Sequence, residues 1–430
     1  MNILIVSTFF PPQNSIASHR AYSWAKWWSR EGHNVTVLTT TKCRTDIDID
    51  FSFEGFTVES IDIPFITSRQ KARQVAAISD AQVNGKIRKE QNSWVSTCVQ
   101  KLASYTGVLN STRFPDLSEL WVSGAKKYAL AGKWDLVVTT GGPYTVHRIG
   151  YAIKLHSPNT KWILDWRDLW TDNHMFKGIP IIRWYEKYLE KKFHSAADII
   201  STVSDPLANV ISRNTDTKTI TIYNGIDEED YINLDEELFF PCDETLRIVY
   251  AGTIYKGKRD PSPLFDAINR LRKEHNVSPE QLQVYFAGPK SHVSQLIKDY
   301  SLSEYCRELG LLSRQDSLRM QRDANVLLFL EHEAPNVDGI LTGKLFEYLH
   351  AKKFILGVGV TLKSETGRLI EGFSPGVVCG LDSEKIKITL IRLLGLAGSN
   401  FNFDKKVDHS YLAEFNRKVG AKRLLNSVFK

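Results

Sequence analysis

The sequence lacks the marks of several common protein classes. Its 430 residues include five cysteines, which are scattered, odd in number and without a Cys-x-x-Cys pair. This usage argues against a disulfide framework or a zinc site and indicates reduced thiols in a cytoplasmic protein. No stretch approaches the ~20 apolar residues of a membrane-spanning helix. The apolar start, MNILIVSTFF, lacks the basic leader and cleavage site of a signal peptide.

An excess of one charge is also absent. Lys and Arg number 55 and Asp and Glu number 49, so the net charge is only +6. No long basic run or aromatic RNA-binding motif accompanies it, which argues against a nucleic-acid partner. No Gly-x-Gly-x-x-Gly follows the first apolar run, which argues against a nicotinamide-dependent dehydrogenase. No Asp-x-Asp motif in a suitable context indicates a divalent metal, and no cofactor is expected.

Short apolar runs alternate with helical patterns along the chain. Continuous Val, Ile and Leu runs between helices predict parallel sheets covered on both faces. The first set of runs is Asn2–Ser7, Asn34–Thr39, Asp135–Thr140, Lys161–Asp165, Asp198–Val203 and Thr219–Tyr223. The second set is Leu246–Ala251, Leu282–Ala287, Asn325–Leu330 and Phe354–Gly357.

The restart of this pattern predicts two Rossmann-like domains with a ligand cleft between them at the carboxyl ends of the strands. We expect an N-terminal domain over residues 1–235, with a helical insertion at about 66–120. A second domain is expected over 236–410, after an acidic hinge. The final segment, 411–430, reads as an amphipathic basic helix that packs back on the first domain.

Seven stretches of the chain stand in a characteristic order and spacing. They are STFFPPQNSIASHRAYSWAKWWSREGHNVTVLTT, DWRDLWTDN, AADIISTVS, IYNGID, VYAGTIYKGKRDPSPLFDAI, VYFAGP and KLFEYLHAKKFIL. Together they resemble the retaining nucleotide-sugar glycosyltransferases of family 4, and the likeness runs over nearly the whole chain.

The resemblance implies an α/β GT-B fold, in which two Rossmann-like domains with parallel sheets face each other across a cleft. It also implies transfer of a sugar, with retention, from a UDP- or GDP-type donor bound mainly in the second domain. The acceptor, a saccharide or a polyprenyl-linked saccharide, would bind mainly in the first, and the pathway would be surface polysaccharide or glycoconjugate synthesis. A non-catalytic nucleotide-sugar-binding protein and a GT-B-type nucleotide-sugar epimerase remain alternatives.

The donor diphosphate is expected at the start of the helix that begins near Thr342. Free N–H groups at a helix N-terminus and its dipole favour an anion. Leu341, Thr342 and Gly343 would present such groups, and Lys344 would add a full charge. The alternative is a plain helix that Thr342 caps.

Glu347 lies about one helical turn after Lys344 and can accept both hydroxyls of a ribose. The family pattern pairs two glutamates with seven residues between them, and Glu347 matches the second. The position of the first holds Gly339, so either Asp338 or backbone groups would replace it.

The loop after Gly252 is the second expected phosphate element. Thr253 stands where the family usually has arginine, and Lys258 and Arg259 would stabilise the leaving diphosphate. A solvated surface loop is the alternative. Gly288, directly after another strand, could line the base pocket or form a simple turn.

In the first domain, Asn14 and Ser15 replace the family's glycine pair, and Arg20 could face the cleft on the acceptor side. Asp165 and Asp168 follow a strand and could bind acceptor hydroxyls, with Asp168 as a candidate base. A pair between Arg167 and an aspartate that holds the loop is the alternative.

The resemblance also implies that His147 contacts the sugar, although a packed histidine is the alternative. The expected catalytic residues are therefore His147, Lys258, Arg259 and Asp168, with no enzyme nucleophile and no metal.

Two aromatic-rich stretches allow two interpretations: contact with the cytoplasmic face of a membrane, or packing in the core. Trp24, Trp27 and Trp28 cluster on one predicted helix, and residues 179–192 (IPIIRWYEKYLEKK) mix aromatics with lysines. Such a mixture can dock on an anionic bilayer and reach a lipid-linked acceptor. Aromatics at helical spacing equally indicate core packing.

Overall fold

A computed structural model describes residues 1–13, 15–42, 51–64, 113–173, 178–232, 234–254, 257, 259–331, 339, 341–395 and 412–429. The chain divides into two compact units, Met1–Tyr223 with Arg417–Lys430 and Asn224–Asn416. The first unit thus ends before the boundary expected at residue 235. Most of the helical insertion expected over 66–120 lies outside the described residues.

The first domain is built on a parallel sheet of seven strands in the order β3-β2-β1-β4-β5-β6-β7. The strands are β1 (Asn2–Val6), β2 (Asn34–Thr40), β3 (Thr57–Ile61), β4 (Leu136–Thr140), β5 (Lys161–Trp166), β6 (Ile199–Thr202) and β7 (Thr219–Thr221). The order reverses between β1 and β4. In a sheet of this kind, the crevice at the carboxyl ends of such a strand pair is where ligands bind.

Helices cover both faces of this sheet. They are α1 (Ile16–Arg30), α2 (Glu119–Ala131), α3 (Thr145–His156), α4 (Pro180–Ala196) and α5 (Asp205–Ser212). Trp24 and Trp28 of α1 are 2% and 0% exposed and belong to the apolar layer on one side of the sheet. These two tryptophans are therefore core residues and cannot form the membrane-facing cluster considered from the sequence.

The second domain repeats the design with a parallel sheet of six strands in the order β10-β9-β8-β11-β12-β13. Its strands are β8 (Leu246–Ala251), β9 (Leu282–Ala287), β10 (Cys306–Gly310), β11 (Val326–Leu330), β12 (Phe354–Val358) and β13 (Val377–Val378). Its helices are α6 (Glu229–Ile232), α7 (Ser262–His275), α8 (Val293–Asp299), α9 (Arg314–Asp323), α10 (Gly343–Ala351), α11 (Glu365–Phe373) and α12 (Ser383–Leu393). Here the order reverses between β8 and β11.

A short 3-10 turn, Ala413–Phe415, leads to the last helix, α13 (Arg417–Phe429), which belongs to the first domain. Its Ala421 and Leu424 are fully buried in the same layer as Trp28, and the Trp28 indole N–H donates to the Ala421 carbonyl at 2.9 Å. The end of the described chain thus completes the core around α1. In the described part of the chain, no helix is both long and apolar enough to cross a bilayer.

Candidate functional site

In the second domain, two glycines leave the carboxyl edge of the sheet without side chains. Gly252 follows β8, and Gly288 follows β9. A Cβ atom on Gly288 would lie 2.3 Å from the Gly252 carbonyl oxygen, so the two backbones touch. Gly252 has a φ of 130°, which L residues rarely adopt. The backbone therefore requires glycine at both positions. As a result, no side chain projects from these two positions at the edge of the sheet beside the strand reversal.

The Lys344 side chain lies over Gly252 at the carboxyl edge of the sheet. Its Nζ is 3.6 Å from the centroid of the Tyr250 ring, and a Cβ on Gly252 would approach the same Nζ to 2.8 Å. Burial, reinforced by Arg259, holds the pKa of Lys344 well below its usual range, although Glu347 and Glu331 oppose this shift. The charged form of Lys344 is thus destabilised by burial, and a bound anion would stabilise it.

Lys344 is the second residue of α10. Thr342 occupies the N-cap position with extended backbone, but its side chain makes no capping hydrogen bond. Thr342 thus stands at the cap position that the alternative expected, but its side chain leaves the first N–H groups of the helix without a capping bond. Leu341, by contrast, is only 5% exposed and packs inward.

Arg259 and Glu331 complete the charged cluster around Lys344. The Arg259 guanidinium donates to the Thr253 carbonyl at 2.9 Å, which ties it to the loop after β8. Glu331 directly follows β11, across the strand reversal from Gly252. Burial raises the pKa of Glu331 to about 7, although Thr366, Arg259 and Lys344 counteract the rise. Two basic side chains and a carboxylate that titrates near neutrality therefore share this edge.

Glu347 faces a different partner. Its Oε1 accepts from Arg314 Nη1 at 2.5 Å, and its Oε2 accepts from Gln321 Nε2 at 3.4 Å. Burial alone would lower the pKa of Arg314, but Glu347 and Asp230 outweigh it and raise that pKa. The carboxylate is thus held in place from α9 while 20% of its side chain remains exposed.

Sequence reasoning found part of this cluster and missed part. The structure brings Gly252, Thr253, Arg259, Gly288 and Lys344 together, whereas Lys258 and Asp338 lie outside the described residues. Gly339 has a φ of 93°, so a side chain there would be strained. Glu331 and Arg314 were missed. The position of Glu331 directly after an apolar run was the signal that could have identified it.

In the first domain, the expected acceptor residues Arg20 and Asp165 form a buried ion pair. Arg20 donates to both oxygens of Asp165, at 3.0 and 2.7 Å, and the two residues are 3% and 0% exposed. Thr140 and Ser201 donate to the same carboxylate at 2.7 Å each. Because every oxygen of Asp165 is engaged inside the domain, we correct the acceptor assignment: this pair is structural.

The other expected residues of this domain also have local roles. Ser15 caps α1 by accepting from the Ser18 N–H at 3.2 Å, and Asn14 lies outside the described residues. His147 is 0% exposed, and its Nδ1 lies 2.8 Å from Thr139 Oγ1. Burial, His194 and Arg167 hold the pKa of His147 well below its usual range. The ring is therefore neutral and packed, without exposed surface.

A cavity of about 210 Å³ opens at the carboxyl ends of β1 and β4, where this sheet reverses its order. Four of its ten lining residues are aromatic, and three have charged or amide side chains. It is lined by Phe9, Gly141, Gly142, Tyr144, Trp166, Arg167, Asp168, Leu169, Trp170 and Asn173. An aromatic pocket with a few polar groups suits a small ring that carries hydroxyls.

Arg167 and His147 shape the floor of this pocket. Arg167 donates to the carbonyls of Gly141 and Gly142 at 2.5 and 3.0 Å, so it holds the loop through backbone oxygens rather than through an aspartate. A Cβ on Gly141 would lie 2.5 Å from His147 Nε2, which places the histidine directly beneath the floor. Asp168 is exposed at the rim and remains accessible.

A larger cavity, of about 840 Å³, lies at the amino ends of β8 and β9 and includes Thr245, Leu246 and Gln283. It is at the opposite edge of the second sheet from Lys344, so it takes no part in the charged cluster.

No family model matches the sequence, and no curated protein matches it either. Several solved structures are similar in fold. Sucrose-phosphate synthase from Thermosynechococcus elongatus is 14% identical with a TM-score of 0.63, covering 100% of this chain and 99% of its own. A glycosyltransferase from Rickettsia africae is 13% identical with a TM-score of 0.58, covering 99% and 97%.

A trehalose-6-phosphate protein from E. coli, bound with UDP-2-fluoro glucose, is 11% identical with a TM-score of 0.60, covering 100% of this chain and 99% of its own. Likeness over whole chains at such low identity establishes the fold. Together with the two parallel sheets, it confirms the predicted GT-B class.

Proposed function

We propose that this chain is a glycosyltransferase that moves a sugar from a nucleotide diphosphate donor, of UDP or GDP type, to a saccharide or lipid-linked acceptor. The observation that carries the proposal is the position of Lys344. Its side chain lies over Gly252, at the carboxyl edge of the second sheet, and Arg259 is nearby. We further propose retention at the anomeric carbon and a role in surface polysaccharide or glycoconjugate synthesis.

The cluster has the chemistry that a diphosphate requires. The Lys344 and Arg259 side chains supply positive charge next to the start of α10, where the helix dipole also favours an anion. The missing side chains of Gly252 and Gly288 allow a phosphate to approach the backbone closely. A solved structure of the same fold holds UDP-2-fluoro glucose, which supports a nucleotide-sugar donor.

Glu347 would accept the two ribose hydroxyls of that donor. A carboxylate can accept two hydrogen bonds at once, but it must first be held in one orientation. Arg314 fixes Oε1 at 2.5 Å and leaves part of the carboxylate accessible. We therefore assign Arg314 as a positioning residue that acts through Glu347.

The aromatic pocket of the first domain would hold the acceptor ring, with Asp168 at its rim to bind or deprotonate a hydroxyl. As the bond between sugar and phosphate breaks, negative charge develops on the leaving diphosphate. Lys344 and Arg259 would stabilise that charge without a metal ion. No side chain is assigned as a nucleophile, and the proton of the acceptor hydroxyl would pass either to Asp168 or to the leaving phosphate.

A thermal-shift screen against UDP, GDP, ADP and their sugars tests the donor assignment. We expect the uridine or guanosine ligands to raise the melting temperature, because a ligand that binds only the folded chain stabilises it. Glu347→Ala should weaken binding about 10- to 100-fold, as expected for a lost charge-assisted pair of hydrogen bonds. Glu384→Ala, at an exposed position of α12 in the same domain, is the matched control and should respond as the wild type does.

The remaining outcomes separate the alternatives. A protein that responds to none of these ligands, or a Glu347→Ala variant that responds fully, contradicts the donor site. Binding without release of free nucleotide on addition of acceptors indicates a binding protein. Interconversion of the sugar without any acceptor indicates an epimerase.

Donor binding should be accompanied by proton uptake near neutral pH. In the free protein, Glu331 has a pKa of about 7, and the pKa of Lys344 is depressed. A diphosphate beside them raises both values, since negative charge favours the protonated forms. Affinity should therefore fall as the pH rises above about 7. Calorimetric titrations of UDP or GDP at pH 7.5, in buffers of different ionisation enthalpy, measure the protons taken up.

Glu331→Gln is the matched variant for this measurement, because it removes one titrating group and keeps the shape of the side chain. It should reduce the proton uptake and flatten the pH dependence. A binding enthalpy that is the same in every buffer, or proton release, would show that the diphosphate does not sit at this cluster.

A further inference from the structure

Helix α4 in the first domain carries an apolar stripe on its outer face. Ile181 is 86% exposed, Trp184 is 75% exposed, and Tyr188 is 47% exposed. Their spacing of three and four residues places all three on one side of the helix. The Trp184 and Tyr188 rings stack with centroids 6.3 Å apart. Large apolar residues gathered in one exposed stripe indicate an interaction surface.

The charges of α4 are sorted between its two faces. Both of its glutamates point into the domain: Glu186 is fully buried and pairs with Arg113 at 3.0 Å, and Glu190 accepts from Thr171. Lys187 and Lys191 lie on the exposed face, beside the apolar stripe. The outer face of this helix therefore carries aromatic, aliphatic and cationic groups but no acid.

Two further cations flank this face. Lys192 places its Nζ 4.5 Å from the centroid of the Tyr188 ring, and Arg183 pairs with the loop residue Asp172 at 3.2 Å. Aromatic rings between long cationic side chains are typical of surfaces that sit at the boundary between water and lipid.

We propose that this outer face of α4 docks on an anionic lipid bilayer. The cations complement the negative surface of such a membrane, and Trp and Tyr side chains favour its interfacial region. A second copy of the chain fits this face less well, because docking it on itself would oppose lysine to lysine. The occupant is therefore a lipid surface.

The aromatic pocket is tied directly to this face. Its lining loop contains Asp168 and Asn173, and between them Thr171 binds Glu190 of α4 and accepts from Arg113 Nη2 at 3.1 Å. The pocket loop and the docking helix are thus held as one piece. If the proposed function holds, this continuity favours an acceptor whose saccharide enters the pocket while its lipid tail stays in the bilayer.

Flotation of the full-length chain with vesicles tests the docking. We expect strong binding to vesicles of phosphatidylglycerol and phosphatidylcholine and about tenfold weaker binding to phosphatidylcholine alone, with a decline at high salt. An Ile181→Ser, Trp184→Ser double variant and a Lys187→Glu, Lys191→Glu double variant should each lose at least about tenfold in binding. These side chains are exposed, so both variants should fold normally.

A matched control is Leu155→Ser, because Leu155 is 65% exposed at the end of α3, on the opposite edge of the sheet from the pocket. It should bind vesicles as the wild type does. Equal binding by the wild type and both double variants overturns the proposal. The proposal is also overturned if the wild type is a dimer that the double variants dissociate while their binding to vesicles is unchanged.

The donor thermal shift separates this proposal from the proposed function. Docking variants should keep the full response to nucleotide, since they lie in the other domain from Lys344. Vesicle binding without any nucleotide response would leave the docking surface standing and remove the transferase. A nucleotide response without vesicle binding would support the transferase and overturn the docking surface.

Discussion

Asp165→Ala is expected to destabilise the first domain by about 3–5 kcal/mol, because it leaves a buried arginine without its counter-charge. Asp165 accepts from Arg20, Thr140 and Ser201 and so joins α1, β4 and β6 to its own strand, β5. Arg20 also donates to the Ile222 carbonyl at 2.6 Å. The alanine variant removes the shared acceptor of Arg20 Nε and Nη2, Thr140 and Ser201.

Chemical denaturation measures this effect through the shift of the unfolding midpoint. Asp168→Ala is the matched control: it removes an exposed carboxylate three residues away and should change stability by less than about 0.5 kcal/mol. The control should instead lose transfer to the acceptor. An Asp165→Ala variant that remains stable but no longer uses the acceptor would restore the acceptor role that the sequence suggested.

Lys344→Met is expected to lower the transfer rate by about 10²- to 10³-fold, the range found when a preorganised group that stabilises transition-state charge is removed. The diphosphate gains negative charge as it leaves, so kcat should fall more than the affinity for the donor. Stability should be unchanged or higher, because the substitution removes a partly buried charge whose pKa is depressed.

Lys363→Met provides the control for this variant, since Lys363 is exposed in the loop before α11. It should leave both rate and stability unaltered. Steady-state kinetics and denaturation on the same samples give the two readouts. A Lys344→Met enzyme that keeps a rate within tenfold of the wild type would show that the leaving group is stabilised elsewhere.

The central strands of both sheets and the edge strand β7 could be predicted from the sequence, but the edge strands β3, β10 and β13 could not. Strands β4, β8, β11 and β12 are almost wholly buried and show as unbroken apolar runs. Strands β3 and β10 are half exposed, and their sequences TVESI and CRELG carry charged residues. Solvent on an edge strand permits polar residues, which removes the signal that periodicity provides.

The same limit affected the site. Gly252 and Gly288 were found because they directly follow β8 and β9, which the apolar pattern predicted. Arg314 was missed because it comes after β10, an edge strand that the pattern did not reveal. Arg20, Asp165 and His147 were recognised as unusual, but the sequence does not tell which way a polar side chain points. Only the coordinates show that all three side chains are buried, Arg20 and Asp165 in an ion pair and His147 in a packed position.

The return of α13 to the first domain bears on how the polypeptide is made. Ala421 and Leu424 complete the layer around Trp28, yet the whole second domain is translated between Tyr223 and Arg417. A ribosome therefore releases the second domain as a continuous unit while the first still has an open apolar patch on α1. The N-terminal half of this protein should finish folding last, against the usual order of synthesis.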